Sequence, residues 1–308
     1  MPGLEQMDSW IADGTVDTVV IAFPDMHGRP VGKRVTAPFF MSHAAEHGIE
    51  ACEYVLAVDV DMNPLPGYRF ANWDTGYGDI VCVPDFTTSR RIPWLEGTAM
   101  VIADLHDGSG APVEVSPRHI LRRQLERAAE RGFRVCSATE LEFYLFRDSY
   151  EEAAAKGWRG LTPHTSTIED YQLLQTSREE YILRRVRNEM QGAHIPVEFS
   201  KGEAGRGQHE VNVRYDESLV TADRHLVFKN GIKEIAAQEG RAATFMAKWT
   251  MEDVGSSCHL HVSLRDAESG ESVMADPSHR HGLSSVARRF LAGQLHAAQE
   301  LAWCAAPS

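Results

Sequence analysis

Residues 139–146, TELEFYLF, constrain the fold of this chain more than any other stretch. Their aromatic and aliphatic content predicts a β-strand, in which alternate side chains point to opposite faces. Glu140 and Glu142 then lie on one face, and the apolar residues between and after them lie on the other. Two adjacent carboxylates repel each other and resist burial. Either a strand with one solvated face or a divalent cation bound by both carboxylates explains the pair.

Two further segments show the same alternation of polar and apolar residues. One places Glu210 in a strand directly after a glycine-rich loop that contains Glu203, and the other places His259 and His261 two residues apart. A sheet with one solvated face also alternates. On such a face Lys, Thr, Gln and Ser would serve equally well, whereas these positions hold Glu and His. We therefore predict that four glutamates and two histidines share one site.

Several carboxylates with an imidazole suit Mg²⁺ or Mn²⁺. Four glutamates exceed what one such cation takes from a protein while keeping water and substrate, so we predict two or more metal ions. Two-metal sites are typical of phosphoryl chemistry. A two-metal hydrolase on another fold remains an alternative at this point. No HExxH motif, Walker A sequence or GxGxxG before a helix is present in the sequence.

Charge and cysteine content narrow the class of protein. The net charge of −13 argues against a nucleic-acid partner. The five cysteines form no CxxC pair, which indicates a reducing cytoplasm rather than a disulfide scaffold. No run reaches the roughly 18 apolar residues of a membrane span, so no membrane partner is expected. Cys258 alternates with the two histidines and is predicted to pack in the core.

Residues 106–110, HDGSG, are the predicted boundary between a domain at 1–108 and a second at 109–308. Strands with one helix over them, including a strand predicted at 53–60, indicate a small α+β module before this boundary. After it, helices and alternating strands lead to a long amphipathic helix at 283–304. The arginines of the first helix after the boundary are predicted to form a solvated face; they are Arg122, Arg123, Arg127 and Arg131.

In this order the motifs resemble those of the glutamine synthetase superfamily, through most of the chain. Residues 139–143, TELEF, resemble the ExE metal strand of that family. Residues 203–210, EAGRGQHE, are similar to its E(x)nGQxE element, and residues 255–263, GSSCHLHVS, to its GSGxHxHxS signature. Residues 245–248, FMAK, are close to its FMPKP strand, with Ala in place of Pro.

The resemblance implies an α+β fold with an N-terminal β-grasp domain and a catalytic domain built on a curved antiparallel sheet with flanking helices. It also implies a homo-oligomer, the dodecamer of the family, with active sites between neighbouring subunits of stacked rings. The implied substrates are glutamate, an amine and ATP. ATP phosphorylates the γ-carboxylate, and the amine then displaces phosphate to form an amide.

The resemblance also implies roles for individual residues. By position, Glu142, Glu203 and Glu210 would hold the Mg²⁺ or Mn²⁺ ion that orients glutamate. Glu140 and His259 would hold the ion that lies on the ATP phosphates. The remaining positions are placed near the nucleotide (Tyr215, His261 and Ser263) or the glutamate (Gly255).

Two departures from the family pattern bear on the substrates. Val254 stands where the family has an Asn that contacts the α-group of glutamate, and the D-G-S-S segment of ammonia-using members is missing. Residues 66–79 occupy the corresponding loop, and neither Asp74 nor Asp79 is assigned as a base. Because ammonium requires an anionic pocket, we favour a γ-glutamyl-amine ligase that uses ethanolamine or a polyamine. An ammonia-dependent glutamine synthetase is the alternative.

The sequence ends at Ser308, where family members continue into an N-S-Y-K-R segment. That segment supplies arginines for phosphate and glutamate, a further metal-binding glutamate and a gating flap. We therefore expect a C-terminally truncated chain, weak or inactive alone, with its catalytic groups beyond Ser308. A catalytically silent paralogue that acts by binding or assembly is the other alternative.

Overall fold

The computed structural model describes residues 3–74 and 76–305, the last three by their backbone alone. Its first part, up to residue 106, forms one sheet with short helices. The elements are α1 (Leu4–Ala12), β1 (Thr18–Pro24), β2 (Pro30–Thr36), α2 (Ala37–Phe39), α3 (Ala45–His47), β3 (Ile49–Cys52), β4 (Asp79–Arg91) and β5 (Thr98–His106). A π-helical turn at Phe40–Ala44 joins α2 to α3.

The first sheet has five strands in the order β2-β1-β5-β4-β3. β1 and β5 pair in parallel, and the other neighbours pair antiparallel. Strands β1 and β5 supply the largest share of the buried core, to which α1 adds Met7 and the π-helical turn adds Phe40. These strands are apolar almost throughout, because both of their faces are covered.

The strand predicted at residues 53–60 is wrong. The extended segment is Ile49–Cys52, and Glu53–Leu56 is a 3-10 helix. Cys52 is opposite Asp79, the first residue of β4. The Glu53 N–H still donates to the Gly78 carbonyl at 2.9 Å, but among the described residues no strand lies opposite the chain beyond that point.

The second part of the chain alternates longer helices with a second sheet. Its elements are α4 (Pro117–Ala129), β6 (Phe133–Phe146), α5 (Tyr150–Ala155), α6 (Leu173–Thr176), α7 (Glu180–Gly192), β7 (Val197–Gly202), β8 (Gln208–Val213), β9 (Asp216–Glu217), α8 (Ser218–Gln238), β10 (Ala242–Thr244), β11 (Cys258–Asp266), α9 (Ser285–His296) and α10 (Ala298–Ala305). The helix predicted at 283–304 is thus two helices. The Ser284 hydroxyl accepts the Ala287 N–H and fixes the start of α9.

β6 is the centre of the second sheet, and all of its pairings are antiparallel. On one side it pairs with β8 and β9, and on the other with β10 and β11. β7 extends the sheet beyond β8. The three strands that carry the polar motifs, β6, β8 and β11, are therefore direct neighbours.

Residue contacts divide the chain into two compact units. The first contains the described residues up to Gln124 together with Arg184–Pro196 and Ala222–Ile235, and the second contains the remainder. Every motif residue of the predicted site belongs to the second unit. The predicted α+β class is confirmed. The β-grasp designation of the N-terminal domain and the boundary at residue 108 stay predictions.

None of the helices within residues 3–74 and 76–305 combines the length and the apolar character that crossing a lipid bilayer requires.

Candidate metal centre

The centre is built on β6, where the predicted alternation is observed up to Phe143. Leu141 and Phe143 are fully buried, and Glu140 and Glu142 lie on the opposite face, only partly exposed. Beyond this point both faces are covered, because Tyr144 and Phe146 pack against Trp249. The open polar face of β6 is therefore restricted to the region of the two glutamates.

Strand register and a tight loop bring three carboxylates together. Glu142 and Glu210 are direct partners in the β6–β8 ladder. Glu203 follows β7, and its N–H donates to the Gln208 carbonyl at 2.8 Å, which closes the loop against β8. One oxygen from each carboxylate lies within 4.8 Å of the others. We refer to Glu142, Glu203 and Glu210 as the carboxylate cluster.

Gln208 holds the three motifs in place, a role that the sequence patterns did not reveal. Its Oε1 accepts the Gly205 N–H at 2.9 Å, and its Nε2 donates to Glu142 Oε2 at 3.1 Å and to the Gly255 carbonyl at 2.9 Å. The Ser257 N–H donates to the same Glu142 oxygen at 3.0 Å. The amide thus links the glycine loop, β6 and the segment before β11. The one sequence feature that pointed to Gln208 was its position in the GQxE motif, between Glu203 and Glu210.

Both histidines of β11 lie against the glutamates of β6. His259 is opposite Glu140 in the ladder. The side-chain contacts run diagonally: His259 Nε2 is 4.0 Å from Glu142 Oε1, and His261 Nε2 is 3.5 Å from Glu140 Oε2. Each histidine therefore lies within reach of an ion bound by a β6 carboxylate.

The centre carries excess negative charge. Burial raises the pKa of Glu210, and the neighbouring Glu140 and Glu203 carboxylates raise it further, against a 2.7 Å hydrogen bond from Asn212. Lys201 forms an ion pair with Glu203. Desolvation lowers the pKa of this ammonium, but its hydrogen bond and charge attraction to Glu203, together with the nearby Glu210 and Asp170 carboxylates, outweigh desolvation and raise the pKa overall. The repulsion that raises the proton affinity of a carboxylate is also relieved when a divalent cation binds, so a cation would stabilise this site.

The other predicted residues lie along β11 and beside it. The Tyr215 hydroxyl is 3.2 Å from the Arg265 guanidinium, on the same face of β11 as His261 and Ser263. Arg265 was missed in the sequence, where it looked like an ordinary strand cation. The carbonyl of Gly255 is tied to Gln208, and a side chain at position 255 would meet the Ala247 carbonyl oxygen at 2.7 Å.

Cys258 corrects one sequence prediction. It was expected to pack in the core, but it is exposed. β11 has exposed residues on both faces over its first four positions, and Leu260 is 65% exposed. The alternation correctly placed Cys258 on the face opposite the histidines. It does not reveal whether another layer of the protein covers that face.

Gly205 gives the first testable prediction. A Cβ at this position would collide with the Tyr144 hydroxyl, which is buried and donates to the Val254 carbonyl at 2.7 Å. We expect Gly205→Ala to destabilise the protein by about 1–3 kcal/mol in urea unfolding, because a buried, hydrogen-bonded ring resists displacement. Gly293→Ala is the matched control: Gly293 lies in α9 with open space around it, and Ala should stabilise that helix by up to about 1 kcal/mol. Equal effects of the two changes would contradict the prediction.

Comparison with known proteins places these features in a family context. Residues 114–308 match the family model described as glutamine synthetase, catalytic domain. The chain is 53% identical to the gamma-glutamylethanolamide synthetase GlnA4 of Streptomyces coelicolor, over 99% of this chain and 65% of that protein. It is 39% identical to a glutamate–isopropylamine ligase of a Pseudomonas species, over 95% of this chain and 63% of that protein. The chain thus spans less than two thirds of the length of these relatives.

A solved structure shares the fold. The structure of a GmaS/ADP complex superimposes with a TM-score of 0.81 at 26% identity, covering 96% of this chain and 64% of the other. A TM-score of this size over nearly the whole chain is a match in fold.

Proposed function

This chain belongs to the glutamine synthetase family, and we propose that it takes part in ATP-dependent ligation of an amine to the γ-carboxylate of glutamate. The proposed amine is a substituted one, ethanolamine or a polyamine, rather than ammonium. The observation that carries the proposal is the carboxylate cluster, in which one oxygen from each of Glu142, Glu203 and Glu210 lies within 4.8 Å of the others, close enough for one ion to bind all three. The amine class is supported by the names of the two relatives, both of which specify a substituted amine.

The residues fit the metal ions that such a reaction uses. Divalent Mg²⁺ or Mn²⁺, when bound, neutralises the charge of the carboxylate and of the phosphates. We assign the ion on the glutamate side to the carboxylate cluster and the ion on the nucleotide side to Glu140 and His259. The raised pKa of Glu210 supports the assignment, because the cluster without a cation is electrostatically unfavourable.

The remaining face of β11 is proposed to receive the nucleotide. His261, Ser263 and Tyr215 are assigned to it, and Arg265 adds a guanidinium that suits phosphate oxygens or the face of an adenine ring. Tyr215 is 51% exposed, so its ring is accessible for stacking. The similar solved structure is a complex with ADP, which supports nucleotide binding in this fold.

In the proposed reaction an oxygen of the glutamate γ-carboxylate attacks the γ-phosphorus of ATP, and ADP leaves. The amine nitrogen then attacks the resulting acyl phosphate, phosphate leaves, and a proton is lost from the nitrogen. The described residues bind and orient glutamate and nucleotide, with Gly255 on the glutamate side. No proton acceptor for the amine is assigned.

Assembly and location are part of the same proposal. We propose a homo-oligomer of the stacked-ring type, supported by the exposed Leu260 on the edge strand β11. A cytoplasmic location rests on the scattered cysteines and stays a prediction.

An amine panel tests the function. With glutamate, ATP and Mg²⁺ present, any ADP release by this chain, which is expected to be weak, should be at least about tenfold faster with ethanolamine or a polyamine than with ammonium at equal concentration. Reactions without glutamate control for uncoupled ATP hydrolysis. Mn²⁺ binding is measured first by calorimetry, so that a missing metal site and a missing activity are distinguished. A clear preference for ammonium would refute the assignment of the amine.

A further inference from the structure

A second cluster of metal-ligating groups lies behind the carboxylate cluster, on the other face of β8. His209 precedes Glu210, so the alternation of the strand directs its imidazole away from the open site. There it meets Glu169 and Glu179, and one ligand atom from each of the three lies within 4.8 Å of the others. All three residues are 0% exposed. We refer to Glu169, Glu179 and His209 as the buried cluster.

The buried cluster contains polar atoms that nothing else satisfies. Glu169 Oε2, Glu179 Oε2 and both ring nitrogens of His209 have no hydrogen-bond partner among the residues that the structure describes. The His209 Nε2 lies 3.9 Å from Glu169 Oε2, so the ring points at the carboxylate without bonding to it. Each buried polar atom left without a partner costs about 1–3 kcal/mol. One ring nitrogen of His209 and the free Oε2 of each glutamate can face a common point, and together they indicate a ligand between them.

The outer contacts of the two carboxylates have the form found around metal ions. The Thr165 hydroxyl donates to Glu169 Oε1, and His164 Nδ1 lies 2.7 Å from Glu179 Oε1. In each carboxylate one oxygen is thus held from outside while Oε2 stays free. Outer partners that fix one oxygen and leave the other to an ion are a general feature of metal sites.

We propose that Glu169, Glu179 and His209 bind a structural divalent metal ion, with Zn²⁺ as the best match. Two carboxylates and a neutral imidazole balance the charge of one divalent ion. Zinc accepts nitrogen and oxygen ligands with bonds of about 2.1 Å, which separates ligand atoms by roughly 3.4 Å in a tetrahedron. Mg²⁺ and Ca²⁺ take six or more oxygen ligands, for which this enclosed group of two carboxylates is too small.

The ion would connect the irregular segment before α7 to the strands that carry the carboxylate cluster. His209 is paired with Gly202 in the β7–β8 ladder, and Glu203 follows directly. At Gly202 a Cβ would lie 2.7 Å from the Cβ of Glu169, so segment and strand are already in close contact. An ion bound to both His209 and Glu169 would hold the segment against the strand. The ion is thus a positioning element for Glu203 and Glu210, and the inference goes beyond the proposed reaction.

Metal analysis of the full chain tests the inference without an activity assay. The background variant Glu140→Gln/Glu142→Gln/Glu203→Gln removes carboxylates from both metal positions proposed for the open site. After passage over a chelating resin, which removes loosely bound metal, we expect about one zinc per chain to remain in this background. Removing that zinc with a strong chelator should lower the melting temperature. Adding His209→Gln should remove the zinc, whereas adding Glu198→Gln, an exposed glutamate on β7, should not.

A crystal of the unaltered protein supplies a second measurement, which tests for zinc in the buried cluster even if His209→Gln does not fold. Anomalous diffraction at the zinc edge should give a peak within about 2.3 Å of the three ligand atoms. The absence of an anomalous peak, with a water molecule at that point or with the Glu169 and Glu179 carboxyl groups in direct contact, would overturn the inference. So would zinc that stays bound after His209→Gln in the folded variant.

Discussion

Glu142→Gln is expected to lower Mn²⁺ affinity and amine-dependent ADP release by at least about 100-fold each. Loss of an outer partner of a metal ligand already costs about 10–100-fold, and this change affects a ligand itself. The amide replaces one anionic oxygen by an NH₂ group, which cannot bind a cation. Since Gln208 and Ser257 both donate to Glu142 Oε2, an oxygen must stay on that side, and the NH₂ group would face the ion.

Calorimetric titration with Mn²⁺ and a coupled ADP assay measure the two effects separately. Glu198→Gln, an exposed change of the same chemistry on the same sheet, should leave both within about twofold. Thermal unfolding should show that Glu142→Gln is folded, because it relieves repulsion between carboxylates. Unchanged Mn²⁺ affinity in the folded variant would show that the carboxylate cluster is not the site.

The position of the cluster was predictable because it depends on alternation and order. Glu140 and Glu142 lie on one face by period 2, and the GQxE and HxH segments were expected to be strands that share a site with it. The neighbouring pairings Glu142–Glu210 and Glu140–His259 follow once β8 and β11 are placed on either side of β6. Alternation fails from Tyr144 onward, since Trp249 covers the second face, and covering by a distant residue leaves no trace in a local pattern.

The buried cluster shows why other parts were not predictable. Glu169 and Glu179 come from an irregular stretch without a hydrophobic period, so no face is assigned to them in the sequence. His209 was visible only as the variable position of the GQxE motif. Glu169, Glu179 and His209 share no sequence motif, and they meet only because the segment before α7 packs against one face of β8.

The burial of the arginines of α4, on which stability depends, was also not predictable from the sequence. Arg122 was predicted to be solvated, but it is only 34% exposed and pairs with Asp85 and Asp104, each at 2.9 Å. Arg118, which had no sequence signal, is 4% exposed. A helical arginine next to a solvated face is indistinguishable in sequence from one turned towards a buried carboxylate.

Arg118→Met is expected to lower the free energy of unfolding by about 3–5 kcal/mol, the usual cost of leaving a buried ion pair without one partner. Arg118 donates to Asp223 through Nε at 3.0 Å and through a terminal nitrogen at 2.9 Å, and it also pairs with Asp85 and Asp104. Met fills much of the same volume, so the loss arises from unpaired carboxylates and not from a cavity. Urea unfolding followed by circular dichroism measures it, and Arg123→Met, at an exposed position of the same helix, should change stability by less than about 0.5 kcal/mol.

The pH dependence of this loss distinguishes charge from packing. Burial raises the pKa of Asp223 even with Arg118 beside it, and removing the guanidinium must raise it further. A carboxyl whose pKa is higher in the folded than in the unfolded state destabilises the fold at neutral pH, and the penalty disappears as pH falls and the folded protein takes up the proton. The difference between Arg118→Met and the unaltered protein should therefore be largest near pH 7 and narrow towards pH 4–5. A difference that is constant over this range would mean that Arg118 stabilises the fold by packing of its aliphatic chain, and not by neutralising Asp223, Asp85 and Asp104.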